Sequence, residues 1–256
     1  MNTKNGRSLI ARVDGVTLAF GDRIVLKNCS LDVVEGAITC IIGLSGAGKS
    51  TILRLLDGLL LPSEGHIYVL GSDLCHLSEE QVNVMRQKIG LSFQFAALLD
   101  SLSVGDNVAL PLREHTKLSR AEIRQTVFEA LDSVGLAHAY DDLPGELSGG
   151  MLKRAGFARA IVTRPALVLY DEPTTGLDPI VSKLITETIL KLRAKLNGTA
   201  VVISHDLPSI FTMADYIAML FEGAIIAYDT ADRIRNSPNP IVQQFLQGSE
   251  AGPIQI

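Results

Sequence analysis

Apolar and polar positions alternate at the start of the chain. Val13, Val16, Leu18 and Phe20 form one run, Ile24 and Leu26 begin the next, and Leu31 to Val34 close it. Gly21-Asp22 between the first two runs is a turn signal, so this pattern predicts an antiparallel β region. Then the period changes. Ala37 to Ile42 is continuously apolar, as in a strand buried on both faces, and it leads into a glycine-rich loop. From Ser50 to Leu61 the apolar positions Ile52, Leu55, Leu56 and Leu59 take helical spacing. Ser63-Glu64-Gly65 reads as a turn and His66 to Leu70 as a further short strand. Ser78-Glu79-Glu80-Gln81 has the spacing of a capping box that opens a helix.

The stretch from about Ala96 to Arg159 reads mostly helical, with Ser119 to Val134 its clearest amphipathic segment. It interrupts the alternation of strand and helix, so residues 96–159 are expected to form an inserted helical subdomain. Alternation returns with the apolar runs Leu167 to Tyr170, Ala200 to Ile203 and Tyr216 to Phe221. Glu222-Gly223 then turns into Ala224 to Tyr228, a predicted hairpin. Beyond Asp232 the chain is polar, with Pro238, Pro240 and Pro253. The pattern is that of an α/β protein.

Composition sharpens this picture. Of 256 residues 47% are hydrophobic and 20% charged, and the mean hydropathy is +0.27. Yet no stretch approaches the roughly 20 apolar residues that cross a bilayer, and no export signal is visible at the N-terminus. The apolar excess therefore predicts buried parallel strands together with an exposed docking surface. The formal charge of −5 and the absence of a Lys/Arg stripe argue against a nucleic-acid partner. Cys29, Cys40 and Cys75 are odd in number and lack metal-ligand spacing, which suits three reduced thiols, with Cys40 a small core residue.

The chemistry is concentrated in a few places. In Gly43-Leu-Ser-Gly-Ala-Gly-Lys49-Ser50, glycines let main-chain N–H groups surround phosphate oxygens, and the following helix adds its positive end. Lys49 can reach the terminal phosphates and Ser50 can ligate Mg2+. Leu167-Val-Leu-Tyr-Asp171-Glu172 is an apolar strand ending in two carboxylates. Neighbouring strand side chains point to opposite faces, which predicts separate roles: Asp171 for Mg2+, Glu172 for the attacking water.

Ser148-Gly149-Gly150 opens an apparent helix, Met151 to Val162. It is either a second anion site or an N-cap followed by a flexible glycine pair. Gln94, between Phe93 and Phe95, either serves Mg2+ and the water or is a glutamine at a core edge. His205 ends the run Val201-Val-Ile-Ser204 and can donate to a γ-phosphate. Phe20 is either an adenine-stacking face or a core residue. His66, His76, His115 and His138 read as structural or surface residues.

In this order and spacing the residues resemble the nucleotide-binding subunit of an ATP-binding cassette transporter. Phe20 matches the adenine-stacking aromatic; Gly43, Ser45, Gly46, Ala47, Gly48, Lys49, Ser50 and Thr51 match Walker A. Gln94 matches the Q-loop, Leu147 to Gly150 the signature and Leu167 to Glu172 Walker B. Gly176-Leu177-Asp178 matches the D-loop and His205 the switch histidine. The resemblance covers about residues 8–247, one cassette, leaving 248–256 as a C-terminal tail. It implies a P-loop NTPase with a RecA-like mixed sheet core, an N-terminal antiparallel β subdomain and the inserted α-helical subdomain. It also implies ATP and Mg2+ as ligands, the latter held by Ser50, Gln94 and Asp171, and catalysis by Glu172, His205 and Gln94. A homodimer closing head to tail, with Ser148, Gly149 and Gly150 of one copy facing the nucleotide of the other, follows from the same resemblance. So do a multi-span membrane permease and, through it, a peripheral place for this chain at the cytoplasmic face of the inner membrane.

A finer resemblance is to cassettes of Mla-type phospholipid transporters with an Mce-domain lipid-binding subunit. Asn107-Val-Ala-Leu-Pro111-Leu-Arg-Glu-His-Thr116 carries it, with Met151 after the signature glycines, Asp178-Pro-Ile180, and Asn239-Pro240-Ile-Val-Gln-Gln-Phe-Leu246. Phe95 to Ser101 departs from the glycine-containing form of this family. The competing readings are a cassette for amino-acid import or lipoprotein export, a nucleic-acid-associated ATPase of the same family, and a small-molecule P-loop kinase. The signature and His205 have no place in a kinase.

Overall fold

The computed structural model describes residues 6–255; Ile256, at the end of the 248–256 tail, lies outside them. The chain opens with β1 (Leu9–Phe20), β2 (Arg23–Val34), β3 (Ile38–Ile42), α1 (Lys49–Leu56), β4 (Glu64–Val69), β5 (Ser72–Asp73) and α2 (Glu79–Arg86). It continues through β6 (Ile89–Ser92), α3 (Val104–His115), α4 (Arg120–Ser133), α5 (Gly149–Ile161), β7 (Leu167–Asp171) and α6 (Pro179–Leu196). It closes with β8 (Thr199–Ile203), α7 (Leu207–Met213), β9 (Tyr216–Phe221), β10 (Ala224–Thr230), α8 (Ala231–Arg235) and α9 (Pro240–Gln247). Two compact units result, one formed by the chain up to Val82 and from Val201 onward, the other by Asn83–Ala200.

In the first unit the alternating N-terminal runs pair as expected. Antiparallel β1 and β2 set Val13 opposite Leu31, Val16 opposite Cys29 and Leu18 opposite Leu26, with Gly21-Asp22 as the turn. The sheet order is β2-β1-β4-β5. A second sheet places β9 beside β3 in parallel and β10 beside β9 in antiparallel register, which makes it mixed. All five residues of β3 are buried, the mark of a parallel strand covered on both faces. Val201–Ile203 of β8 are buried likewise.

The first helix is shorter than its apolar spacing predicts. It ends at Leu56 because Asp57 caps it and Gly58, at φ +69, turns the chain away. Leu59 and Leu61 are therefore exposed instead of continuing the buried face. At the other end, α9 anchors the tail. The Gln244 amide donates to the Ile254 carbonyl at 3.1 Å and accepts from the Ile254 amide at 2.6 Å, so residues 249–254 fold back on the helix. His66 and His76 both meet Asp73 Oδ2, at 2.8 and 2.9 Å, on the exposed side of the antiparallel sheet.

The second unit holds a parallel pair, β6 and β7, and the helices α3 to α6. Reciprocal capping boxes open two helices. Ser78 and Gln81 satisfy each other's amides at α2, and Ser119 and Glu122 do so at α4. Phe157 of α5 meets Tyr170 of β7 edge to face, ring centroids 5.1 Å apart, at the centre of this core.

Strand β6 lies directly against α5 at Gly90, where a Cβ would stand 2.1 Å from the Ala160 carbonyl oxygen. Overpacking against main chain cannot relax by a side-chain turn, so Gly90→Ala is expected to lower the unfolding free energy by about 3 kcal/mol. Urea denaturation reads this as a lower midpoint. Gly145→Ala, whose Cβ would meet nothing within 4 Å, is the control and should move stability by less than about 0.5 kcal/mol.

Candidate active site

The first unit carries the phosphate loop. Strand β3 delivers it from a buried base, and Gly43, at φ +146, passes so close to β9 that a Cβ would fall 2.1 Å from the Leu220 carbonyl oxygen. Gly46 and Gly48 take φ +76 and +103. Turns of this kind direct successive N–H groups to one side, where they face an anion. Gly48 is the N-cap of α1 and gives its first amides no side-chain acceptor, which suits a phosphate there. Lys49 is buried, and its Nζ donates back across the loop to the carbonyls of Gly43 and Leu44, both at 2.9 Å. Ser45 and Ala47 lie within the loop, and Ser50 and Thr51 follow in the first turn of α1.

Phe20 ends β1 with 52% of its surface exposed, so the core alternative for it fails. His205 is exposed just past β8. The buried Ser204 hydroxyl accepts from the Asp206 amide at 3.1 Å and so shapes that turn.

In the second unit Asp171 ends β7, and Glu172 leaves the strand with φ +49. The left-handed main chain of Glu172 itself, not the strand alternation that the sequence suggested, therefore sets the two carboxylates apart. For a side chain with a Cβ that conformation costs roughly 1–2 kcal/mol, and neighbours must hold it. Thr175 Oγ1 donates to Glu172 Oε2 at 2.9 Å, and Lys153 Nζ donates to the Glu172 carbonyl at 3.1 Å.

The same Lys153 ammonium donates to the Gln94 carbonyl at 2.7 Å, so α5 brings Gln94 and Glu172 together by their main chains. Burial pushes the Lys153 pKa down, and the Glu172 charge partly opposes this. Ala96 and Ala97 are also left-handed, at φ +60 and +50, and their carbonyls accept from the two Arg159 guanidinium nitrogens at 2.7 Å each. Gly156 leaves room for Ala96 against the helix. The stretch after it is held by buried Asn107, whose amide bonds the main chain of Leu99, Leu102 and Ser103. Phe93 and Phe95, which flank Gln94, point outward, Phe95 with 85% of its surface exposed. Gln94 itself is half-buried between them.

Ser148 is the N-cap of α5, its Oγ accepting from the Met151 amide at 3.4 Å. Within one chain the capping alternative is thus realised, and Ser148 and Gly149 remain exposed at the helix start. Gly150 lies against α6, where a Cβ would come within 2.6 Å of Val181, and Gly149 faces Leu177. Asp178 caps α6 through the amides of Ile180 and Val181, at 2.9 and 3.0 Å. The signature and the Gly176–Asp178 turn therefore share one corner of this unit.

Sequence reasoning missed Lys153, Arg159, Asn107 and Thr175. The available signal was a lysine at 153 on the same helical face as Gly156, Phe157 and Ala160, all of them buried. A lone cation on an apolar face needs partners.

Residues 26–175 match the family model described as ABC transporter. The chain belongs to the ABC transporter family. It is 42% identical over 246 residues to the intermembrane phospholipid transport system ATP-binding protein MlaF of Haemophilus influenzae, covering 96% of this chain and 93% of that protein. A probable ribonucleotide transport ATP-binding protein, mkl of Mycobacterium leprae, is 39% identical over 242 residues, 94% of this chain and 70% of that protein. Among solved structures, the ATP-binding cassette MJ0796, dimeric in a post-hydrolysis state with ADP and Pi, superposes with a TM-score of 0.79 at 31% identity. That match covers 86% of this chain and 98% of MJ0796. The fold is that of the P-loop cassette, and the chain is an ATP-hydrolysing subunit.

Removing the Ser148 hydroxyl takes away the acceptor at the start of α5. Ser148→Ala is expected to lower stability by about 1 kcal/mol and Ser148→Gly by only a few tenths, read from denaturant midpoints without nucleotide.

Proposed function

We propose that two copies of this chain close head to tail over two ATP molecules, and that closure drives a membrane permease that moves phospholipid. The 42% identity to MlaF across 96% of the chain carries the cargo reading. The shorter coverage of the ribonucleotide relative makes that cargo the second choice. Residues 8–247 act as one cassette, with the helical insertion near 96–159 passing motion to the permease and 248–256 as a tail. Exposed Phe93, Phe95 and Leu99 beside Gln94 supply the apolar docking surface. Among the described residues no helix is long and apolar enough to cross a membrane, so attachment at the cytoplasmic face of the inner membrane runs through that permease. An Mce-domain subunit completes the lipid path.

In this reading Phe20 stacks on adenine, and Gly43 to Thr51 surround the phosphates with main-chain N–H groups, Lys49 adding its charge. Ser50, Gln94 and Asp171 offer a hydroxyl, an amide oxygen and a carboxylate, an all-oxygen donor set that fits Mg2+. When bound there, Mg2+ neutralises charge on the β- and γ-phosphates. The Glu172 carboxylate orients the attacking water and takes its proton as the water oxygen bonds to the γ-phosphorus. The bond from phosphorus to the bridging oxygen breaks, leaving ADP and phosphate. His205 donates to a γ-phosphate oxygen. Ser148, Gly149 and Gly150 of the opposite copy cap the same phosphate, with Asp178 at the contact between copies. ATP favours the closed dimer because only that state makes both sets of contacts, and hydrolysis removes the preference.

Glu172→Gln tests the chemistry. It should bind MgATP within about threefold of the unaltered chain, lose at least 100-fold in turnover, and run as a dimer in ATP on size exclusion. Normal hydrolysis by this variant would remove Glu172 from its role. Purification of the chain with its membrane partners, followed by mass spectrometry of proteins and bound lipids, tests the cargo. A permease with an Mce-domain partner and phospholipid is the expected result; an amino-acid or nucleotide permease overturns it.

A further inference from the structure

Within the second unit five residues other than glycine adopt a left-handed main chain. Arg164 follows the end of α5 and Asn197 caps α6, as such residues commonly do. The other three, Ala96, Ala97 and Glu172, stand at no helix end. Each gives its carbonyl to a cation of α5: Ala96 and Ala97 to Arg159, and Glu172 to Lys153. Lys153 also holds the Gln94 carbonyl, two residues before the strained pair.

Simple packing does not call for this arrangement. A buried ammonium gives up its hydration, the carbonyls satisfy its N–H groups, and the Glu172 charge offsets only part of that cost. A methionine would fill the same volume without the charge, but it would take this donor from the Gln94 and Glu172 carbonyls, so what the lysine supplies is the tie between those two main chains. What the ammonium adds is a junction: one atom bonded at once to segments 59 and 19 residues away, each ending beside a group assigned to the nucleotide. The helix that carries it begins at Ser148. The ammonium therefore ties the Gln94 and Glu172 main chains to the helix that starts at the signature.

We propose that Lys153 is a positioning residue of the ATPase site, its ammonium locking the Gln94 and Glu172 main chains to the signature helix so that both side chains reach the nucleotide in register. This rests on the roles given above to Gln94 and Glu172. Lys153 touches neither nucleotide nor water in this scheme; it acts through the two segments that it ties.

The test uses steady-state ATP hydrolysis by the full-length chain. Lys153→Met should lower kcat by 10- to 100-fold, the scale of a misplaced catalytic group, and leave KM for MgATP within about threefold. Lys153→Arg, which keeps charge and donors, should recover kcat to within about fivefold of the unaltered chain. Because Lys153 acts through Gln94 and Glu172, Lys153→Met placed on a chain already carrying Gln94→Ala and Glu172→Gln should slow it by no more than about twofold. A Lys153→Met kcat within twofold of normal overturns the proposal, as does an arginine variant no faster than the methionine one. If Lys153→Met does not fold, Lys153→Gln is measured against the same expectations, and failure of both to fold shows a purely structural lysine and overturns it too. Full hydrolysis by Glu172→Gln would instead bring down the reading of Glu172, so the two failures are distinct.

Discussion

The passage of Gly43 against β9 is the contact on which the phosphate loop depends. With the Leu220 carbonyl oxygen 2.1 Å from where a Cβ would stand, the main chain turns at the end of β3 and cannot move toward β9. Parallel pairing of β3 with β9, Ile42 opposite Met219, sets that approach, and burial of both strands makes it rigid. Everything after it in the loop is referred to this point: the reversed glycines, the uncapped first turn of α1, and the Lys49 ammonium bonded back to Gly43 itself. A site that meets phosphate with main-chain amides needs its main chain fixed before the ligand arrives, because ordering it afterwards would cost affinity.

The second unit solves the same problem with charge instead of close packing. Glu172 and the Ala96–Ala97 pair just after Gln94 sit on turns that leave the favoured regions of backbone space, and cations from α5 hold their carbonyls and that of Gln94. Left-handed alanines cost energy that glycines would not, so this sequence gives up local ease for side chains that pack, Ala96 against Gly156 being the clear case. The glycine-containing form common after a Q-loop would bend without help. Here Arg159 donates to both carbonyls of the bend.

Much of this was legible in the sequence, and the limits have physical causes. β3, β7, β8 and β9 stood out because parallel strands buried on both faces read as unbroken apolar runs. The capping box at Ser78 was legible as spacing, since both partners are local; the equivalent one at Ser119 was passed over. The end of α1 was misjudged because apolar spacing ran on through Leu59, while one left-handed glycine outweighed it. The Asp171–Glu172 pair was identified, but its separation was credited to strand period; the φ of a single residue is not written in a pattern of polarity. Lys153 escaped notice because its partners are main-chain carbonyls, which every residue has, at 59 and 19 positions' distance. Side-chain motifs announce themselves in sequence, and main-chain ones do not.

The apolar excess in the composition has two destinations, and the second bears on how the molecule works. Most of it fills the strands. The remainder includes Phe93, Phe95 and Leu99, which stand in solvent around a glutamine assigned to the nucleotide. The left-handed turn at Ala96 and Ala97 produces this division, burying Ala96 under α5 while leaving Phe95 85% exposed. The exposed Phe93 and Phe95 and the carbonyls held by α5 thus belong to one short segment, 93–97, with Leu99 just beyond it. A permease element seated on Phe95 would load the very segment whose carbonyls Lys153 and Arg159 hold. The load would then pass along α5 to Ser148 and through Lys153 to Glu172. In the proposed scheme, coupling between transport and hydrolysis would then need no long relay, because one short strained turn would face both.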